Sequence, residues 1–239
     1  MSVELAEPPS SKFDVHFAIG RIPARIHPLF WGVTLLFGLL LPNPSAVSIA
    51  LWVSAVLIAI VVHELGHALA ARAYGWSPRI VIYGMGGLAI YRPGHQSWLS
   101  RAIIAAAGPG SGFLMAGLIV LGVVLSGHAI NLAPIPLSIG AGPALGGRLG
   151  MFVTFMMFVN VFWGLLNLAP VQPLDGGSIL SAVLGRFRPR DALALSFQVS
   201  MFVAGGLALF FLVAFQSVFL TVMFAFLAYN NWHNWQQLR

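Results

Sequence analysis

The stretch ALWVSAVLIAIVVHELGHALA (residues 50–70) decides the fold. Residues 50–62 carry no charge and a single hydroxyl, Ser54. Extended on both sides to residues 47–71, the run reaches the roughly 20 apolar residues that a membrane-spanning helix needs. Three ionisable side chains, His63, Glu64 and His67, then interrupt it. A charge at bilayer depth costs roughly 2.5–3.5 kcal/mol on insertion scales, so side chains of this kind inside a span are functional candidates by default.

The rest of the chain agrees with a membrane setting. Hydrophobic residues make up 59% of the 239 and charged ones only 8%, with a mean hydropathy of +0.89. A soluble domain carries about 25% charged residues. Cysteine is absent, which excludes disulfides and thiolate metal sites. The net charge is +6, yet the basic residues flank apolar segments and form no stripe with interleaved aromatics. A nucleic-acid partner is therefore not expected. Residues 1–23 are polar, contain Glu4, Glu7 and Asp14, and lack the apolar core of a signal peptide, so the mature chain is expected to keep its N-terminus.

Six apolar segments follow, at about residues 26–41, 47–71, 102–125, 149–169, 192–215 and 218–232. The expected fold is an all-α polytopic membrane protein of about six transmembrane helices. Residues 1–25 form a cytoplasmic N-terminal segment, and residues 26–239 a single integral membrane domain. Residues 79–91 (RIVIYGMGGLAIY) differ from the segments around them. They are β-branched and aromatic, too short to span, and have glycines at their centre, which reads as a β-hairpin. Open backbone cannot face lipid, so the hairpin must lie at the interface or pack on protein.

Charge bias orients the bundle. With the N-terminus in the cytoplasm and six crossings, eleven of the twelve Lys and Arg residues fall inside and only Arg148 outside. This is the positive-inside pattern, and it puts both termini in the cytoplasm of a cell-membrane protein. Trp31, Trp52, Trp76, Trp98, Trp232 and Trp235 lie near segment ends, as interfacial anchors do.

His63-Glu64-Leu65-Gly66-His67 is H-E-x-x-H on a helix. Histidines four apart project from one face and can share one Zn²⁺, and the Glu beside the first is placed to take a proton from the metal's water. A catalytic zinc site uses three protein ligands and an open position. Without cysteine, the third ligand must be His, Asp or Glu. Asp175 is the best candidate, because it follows the fourth segment past Pro170 and Pro173 and precedes Gly176 and Gly177. The other reading of Asp175 is an N-cap on a short helix over residues 178–184.

Together, HELGH in one span and NLAPVQPLDGG (residues 167–177) at the end of a later one resemble the site-2 protease family of intramembrane zinc metalloproteases. The opening RIPARIHPLF (residues 21–30) is similar to a compact branch that includes sporulation-factor proteases. The resemblance implies a three-helix catalytic core at about residues 47–185. It also implies His63, His67 and Asp175 as ligands to one zinc ion and Glu64 as general base. Asn167 is implied as an oxyanion donor, with a helix–helix hydrogen bond as its alternative. Asn160 reads as structural. The hairpin, through Gly84, Gly86 and Gly87, is implied to hold substrate as an added strand, with a purely structural hairpin as the alternative. Neither a PDZ insertion nor a CBS tail is seen, so control by such modules is not expected. The glycines of residues 107–110 read as close helix packing, while His16, His27, His95, His128 and His233 read as polar interface residues. His27 and His95 can approach the mouth of the site.

The implied function is regulated intramembrane proteolysis of membrane-spanning or membrane-tethered protein substrates. The competing readings are a metal transporter using the same three ligands and a catalytically inactive membrane scaffold. The absence of repeated halves argues against the first, and an intact Glu64 against the second. Substrate identity and oligomeric state are not legible.

Overall fold

The computed structural model describes residue 7 and residues 9–84, 86–92, 96–131 and 138–238. Contacts divide the chain into two compact units, Met1–Gly94 with Ala107–Leu165, and His95–Ala106 with Leu166–Arg239.

The first unit opens on a hairpin of β1 (Val15–Ile19) and β2 (Ile22–Ile26). Gly20 turns it at a φ of 59°, a left-handed conformation that glycine adopts without steric cost. Helix α1 (Pro28–Leu39) then starts on His27, whose imidazole accepts the Leu29 N–H, and on Pro28, whose missing N–H is one the first turn can spare. Helix α2 (Ala46–Ala73) starts on a reciprocal Ser45–Ser48 capping box. Strands β3 (Arg79–Tyr83) and β4 (Gly86–Ile90) pair antiparallel, with Val81 opposite Leu88. The four strands form one sheet in the order β1-β2-β3-β4. β2 and β3 run parallel with Ala24 opposite Ile80, so α1 and α2 together form the crossover between them.

Burial explains the pairing. Ile22, Ala24 and Ile26 of β2 join Ile80 and Ile82 of β3 in one core with Phe30 of α1 and Val56, Ala59, Ile60 and Ala68 of α2. One charge enters this region. Arg25 is 8% exposed and donates to Asp14 at 2.5 Å. Burial pushes the Asp14 carboxyl up, but the Arg25 hydrogen bond, a backbone hydrogen bond at Ser11 and the Arg25 charge outweigh it, and the carboxyl sits below its ordinary value. Residues 15–26 are thus paired strands and not the polar tail expected from composition, and the hairpin at 79–91 belongs to a larger sheet. A second, small sheet pairs β5 (Ile130–Asn131) with β6 (Ser138–Ile139).

Helix α3 (Trp98–Leu125) runs through both units and contains Pro109. Helix α4 (Gly147–Met157) continues through a π-helical stretch, Phe158–Trp163, into α5 (Gly164–Asn167). Asn160 lies in that stretch, 4% exposed, and donates to the Met156 carbonyl at 2.8 Å, in keeping with a structural role.

The second unit holds α6 (Asp175–Phe187), α7 (Ala192–Phe215) and α8 (Val218–Gln236). On α7 the buried residues are mostly small, Ala192, Ser196, Ser200, Ala204 and Ala208, joined by Phe197 and Phe211. Its open face carries large apolar groups, with Phe202 and Val213 each 72% exposed. Small residues at most buried positions and large apolar ones on the open face suit a helix whose outer solvent is lipid. Phe211 stacks on Phe224 of α8 with centroids 5.5 Å apart.

Each of the six apolar segments is a helix. Four of these helices, Ala46–Ala73, Trp98–Leu125, Gly147–Asn167 and Ala192–Phe215, have the length and apolarity to cross a membrane, while Pro28–Leu39 is a shorter apolar helix. The chain is a mostly helical, multi-pass membrane protein.

Candidate metal centre

The HELGH segment lies within α2, so the helical repeat fixes its geometry. His63 and His67 stand one turn apart on the same face, their Nε2 atoms 3.1 Å apart. Their rings meet at 78°, with centroids 4.8 Å apart. Two neutral imidazoles can present Nε2 lone pairs to one ion from such a pair. His67 is 8% exposed and Glu64 4%.

The walls around these side chains are glycines, each for a steric reason. The His67 ring lies on Gly108 of α3, where a Cβ would come within 2.7 Å of His67 Cδ2. Gly66 faces the Ala107 carbonyl and the Ser111 hydroxyl, and a Cβ there would lie 2.6 Å from Ser111 Oγ. Ser111 in turn donates to the Val62 carbonyl at 2.9 Å, which ties α3 to the turn before His63. The Glu64 side chain lies under Gly87 of β4, where a Cβ would come 2.7 Å from Oε1. Reading residues 107–110 as close packing thus captured the contact but not its object, the His67 ring. Nothing in the local sequence pairs Gly87 with Glu64.

Asp175 is the first residue of α6, preceded by Leu174 at the cap position. The expected alternative, an N-cap on a helix over residues 178–184, is corrected: the helix begins at Asp175 itself, and the cap makes no side-chain hydrogen bond. A carboxylate in the first turn gains from the helix dipole whatever else it does. Gly176 and Gly177 are glycines because the preceding loop folds back on them. A Cβ on Gly177 would lie 2.5 Å from the Gln172 nitrogen and from the Val171 carbonyl carbon. His63, His67 and Asp175 each offer one ligand atom and together are a candidate group for a metal ion. Two imidazoles and a carboxylate form a donor set that fits zinc.

Other expected residues fall as follows. Asn167 ends α5 and is half-buried. Gly84 has a φ of 57° in the turn between β3 and β4, and neither it nor Gly86 has a neighbour within 4 Å of a built Cβ. His27 serves as the α1 cap and packs on Tyr83 with centroids 4.8 Å apart. His95 lies outside the described residues.

The chain is 35% identical over 127 residues to a Synechocystis sp. protein, sll0528, that bears a zinc metalloprotease name; the match covers 52% of this chain and 29% of that protein. It is 30% identical over 172 residues to the zinc metalloprotease MJ0392 of Methanocaldococcus jannaschii, covering 71% of this chain and 45% of that one. The chain therefore spans less than half the length of these curated relatives. Its fold is similar to that of the site-2 protease from Methanocaldococcus jannaschii, with a TM-score of 0.58 and 23% identity over 93% of this chain and 95% of that one. The family model described as Peptidase family M50 matches residues 51–213, from the helix that carries His63 to well beyond Asp175, and the chain belongs to that family.

Proposed function

We propose that this protein is an intramembrane zinc metalloprotease that hydrolyses peptide bonds of membrane-spanning or membrane-tethered proteins. The carrying observation is the convergence of His63 and His67 on one face of α2, with buried Glu64 between them in sequence. In this reading His63, His67 and Asp175 hold the zinc. When bound, the ion supplies Lewis acidity that lowers the pKa of a water toward about 7. Glu64 accepts that water's proton and returns it to the leaving amine. Asn167 donates to the developing oxyanion. Strand β4, at the edge of its sheet and over Glu64, takes the substrate as an added strand, with Gly86 and Gly87 letting the two backbones approach and Gly84 making the turn.

The proposed topology is six crossings in the cell membrane with both termini cytoplasmic, supported by the charge bias. His63 and His67 are 10 and 6 residues before the C-terminal end of α2, which at 1.5 Å per residue is about 15 and 9 Å. With that end at the cytoplasmic interface, the chemistry falls in the inner half of a hydrocarbon core about 30 Å thick.

Glu64→Gln tests the reading. The variant keeps its zinc, because no ligand is touched, and cleavage of a membrane-tethered substrate falls by about 10²–10⁴-fold. Cleavage at the parent rate by Glu64→Gln would overturn the assignment, and with it the distinction from a transporter or scaffold.

A further inference from the structure

The seven residues between α5 and Asp175 include two prolines, Pro170 and Pro173, which donate no hydrogen bond. Some of the loop's polar groups are satisfied locally: the Val171 N–H donates to the Ala169 carbonyl and the Leu174 N–H to the Val171 carbonyl. Gln172 is held differently. Its N–H donates to Ser200 Oγ of α7 at 3.0 Å, and its carbonyl accepts from Asn231 Nδ2 of α8 at 2.7 Å. The Ser200 hydroxyl donates onward to the Pro170 carbonyl at 3.3 Å. Two helices distant in sequence thus grip three backbone groups of one loop.

The grips are buried. Ser200 is 0% exposed and Asn231 1%. Asn231 Nδ2 also donates to the Leu227 carbonyl of its own helix at 2.8 Å, so the amide is anchored at home as it reaches out. Polar side chains are costly to bury in helices of this kind unless they are hydrogen-bonded. Gln172 lies three residues before Asp175, and the loop is packed tightly against Gly176 and Gly177. A shift of Gln172 is therefore passed to the first turn of α6 and to the Asp175 carboxylate.

We infer that Ser200 and Asn231 are positioning residues that fix the loop carrying Asp175 and so set the affinity of the metal centre through its third ligand. The inference rests on the reading of Asp175 as a ligand. Residues that orient a metal ligand are commonly worth 10–100-fold in metal affinity. Ser196 supplies a matched control: it lies one turn before Ser200 on the same helix, is 0% exposed, and has no hydrogen-bond partner for its hydroxyl among the described residues.

The experiment measures zinc dissociation constants by chelator competition on the full chain in detergent, alongside the melting temperatures of the metal-free forms. Ser200→Ala and Asn231→Leu are expected to weaken zinc binding by about tenfold or more. Ser196→Ala is expected to stay within about twofold of the parent in zinc affinity, because no hydrogen bond to the loop is lost. Asp175→Ala is measured beside them. Should Asp175→Ala lose zinc while Ser200→Ala and Asn231→Leu bind it like the parent, the positioning role is overturned and the ligand reading survives. Equal weakening by Ser196→Ala and Ser200→Ala also overturns it, since the effect is then general loosening of α7. Should Asp175→Ala bind zinc fully, the ligand reading falls, and the inference with it. Because the two grips come from different helices, either variant decides the matter if the other does not fold.

Discussion

Gly87→Ala isolates the contact between β4 and the general base. The added Cβ would sit 2.6 Å from Glu64 Cδ and 2.7 Å from Oε1. Ordinary contact begins near 3.4 Å and Glu64 Cγ lies closer still, so the side chain or the strand must give way by about 1 Å. Misplacing a reacting group by about 1 Å can cost about 100-fold in rate, or roughly 2.7 kcal/mol of transition-state stabilisation. The expected outcome is a fall of that order in kcat/KM, with zinc content unchanged because no proposed ligand is altered. The assay is cleavage of a membrane-tethered reporter by purified protein, paired with metal analysis. Gly86→Ala is the comparison: one residue away on the same strand, it meets nothing within 4 Å, so its effect is confined to the approach of the substrate strand and its loss of activity should be smaller than that of Gly87→Ala. Gly84→Ala separates a third cause. It has open space but a φ of 57°, so it should loosen the hairpin by roughly 1–2 kcal/mol without crowding Glu64. Full activity in Gly87→Ala, or equal damage from Gly86→Ala, would refute the steric argument.

Three further outcomes are expected. Gly108→Ala should weaken zinc binding by about tenfold or more, because its Cβ would lie against the His67 ring; an unchanged dissociation constant would show that the ring can turn aside. Asp14 has a lowered folded-state pKa, so its stabilising effect is present above its ordinary value near 3.8 and is lost as pH falls through the lower folded value. Melting temperatures of the parent and Asp14→Asn should accordingly differ at neutral pH and converge as pH drops below about 3.8, and a gap that persists there would remove the linkage. Reporter fusions at the C-terminus and in the loop of residues 127–147 should report opposite sides of the membrane, and a shared side would overturn the six-crossing topology.

The helices and the histidine pair were legible because each rests on a local rule. Hydropathy marks a span within about 20 residues, and H-E-x-x-H needs only the 3.6-residue turn. The strand pair β3–β4 was legible too, from β-branched residues flanking glycines. What escaped depends on partners far along the chain. β1 and the start of β2 fell within residues 1–23, which read as polar from Glu4, Glu7 and Asp14; the strands form because β2 finds β3 in parallel and Arg25 pairs with Asp14. Gly87 lies 23 residues from the Glu64 it must not crowd, and Ser200 and Asn231 lie 28 and 59 residues from the loop they grip. Lipid removes the usual clue as well. In water, a helix shows its buried face by an apolar stripe against a polar remainder. On α7 both faces are free of charge, and hydropathy does not separate them: Ser196, Ser200 and Ala204 go inside with Phe197 and Phe211, while Phe202 stays out. A polar side chain in such a helix is therefore a place to look for a contact, as at Ser200, although the Ser196 hydroxyl one turn away finds no partner among the described residues. Ser200 and Asn231 were the residues of α7 and α8 to question on that ground, as His63, Glu64 and His67 were on α2.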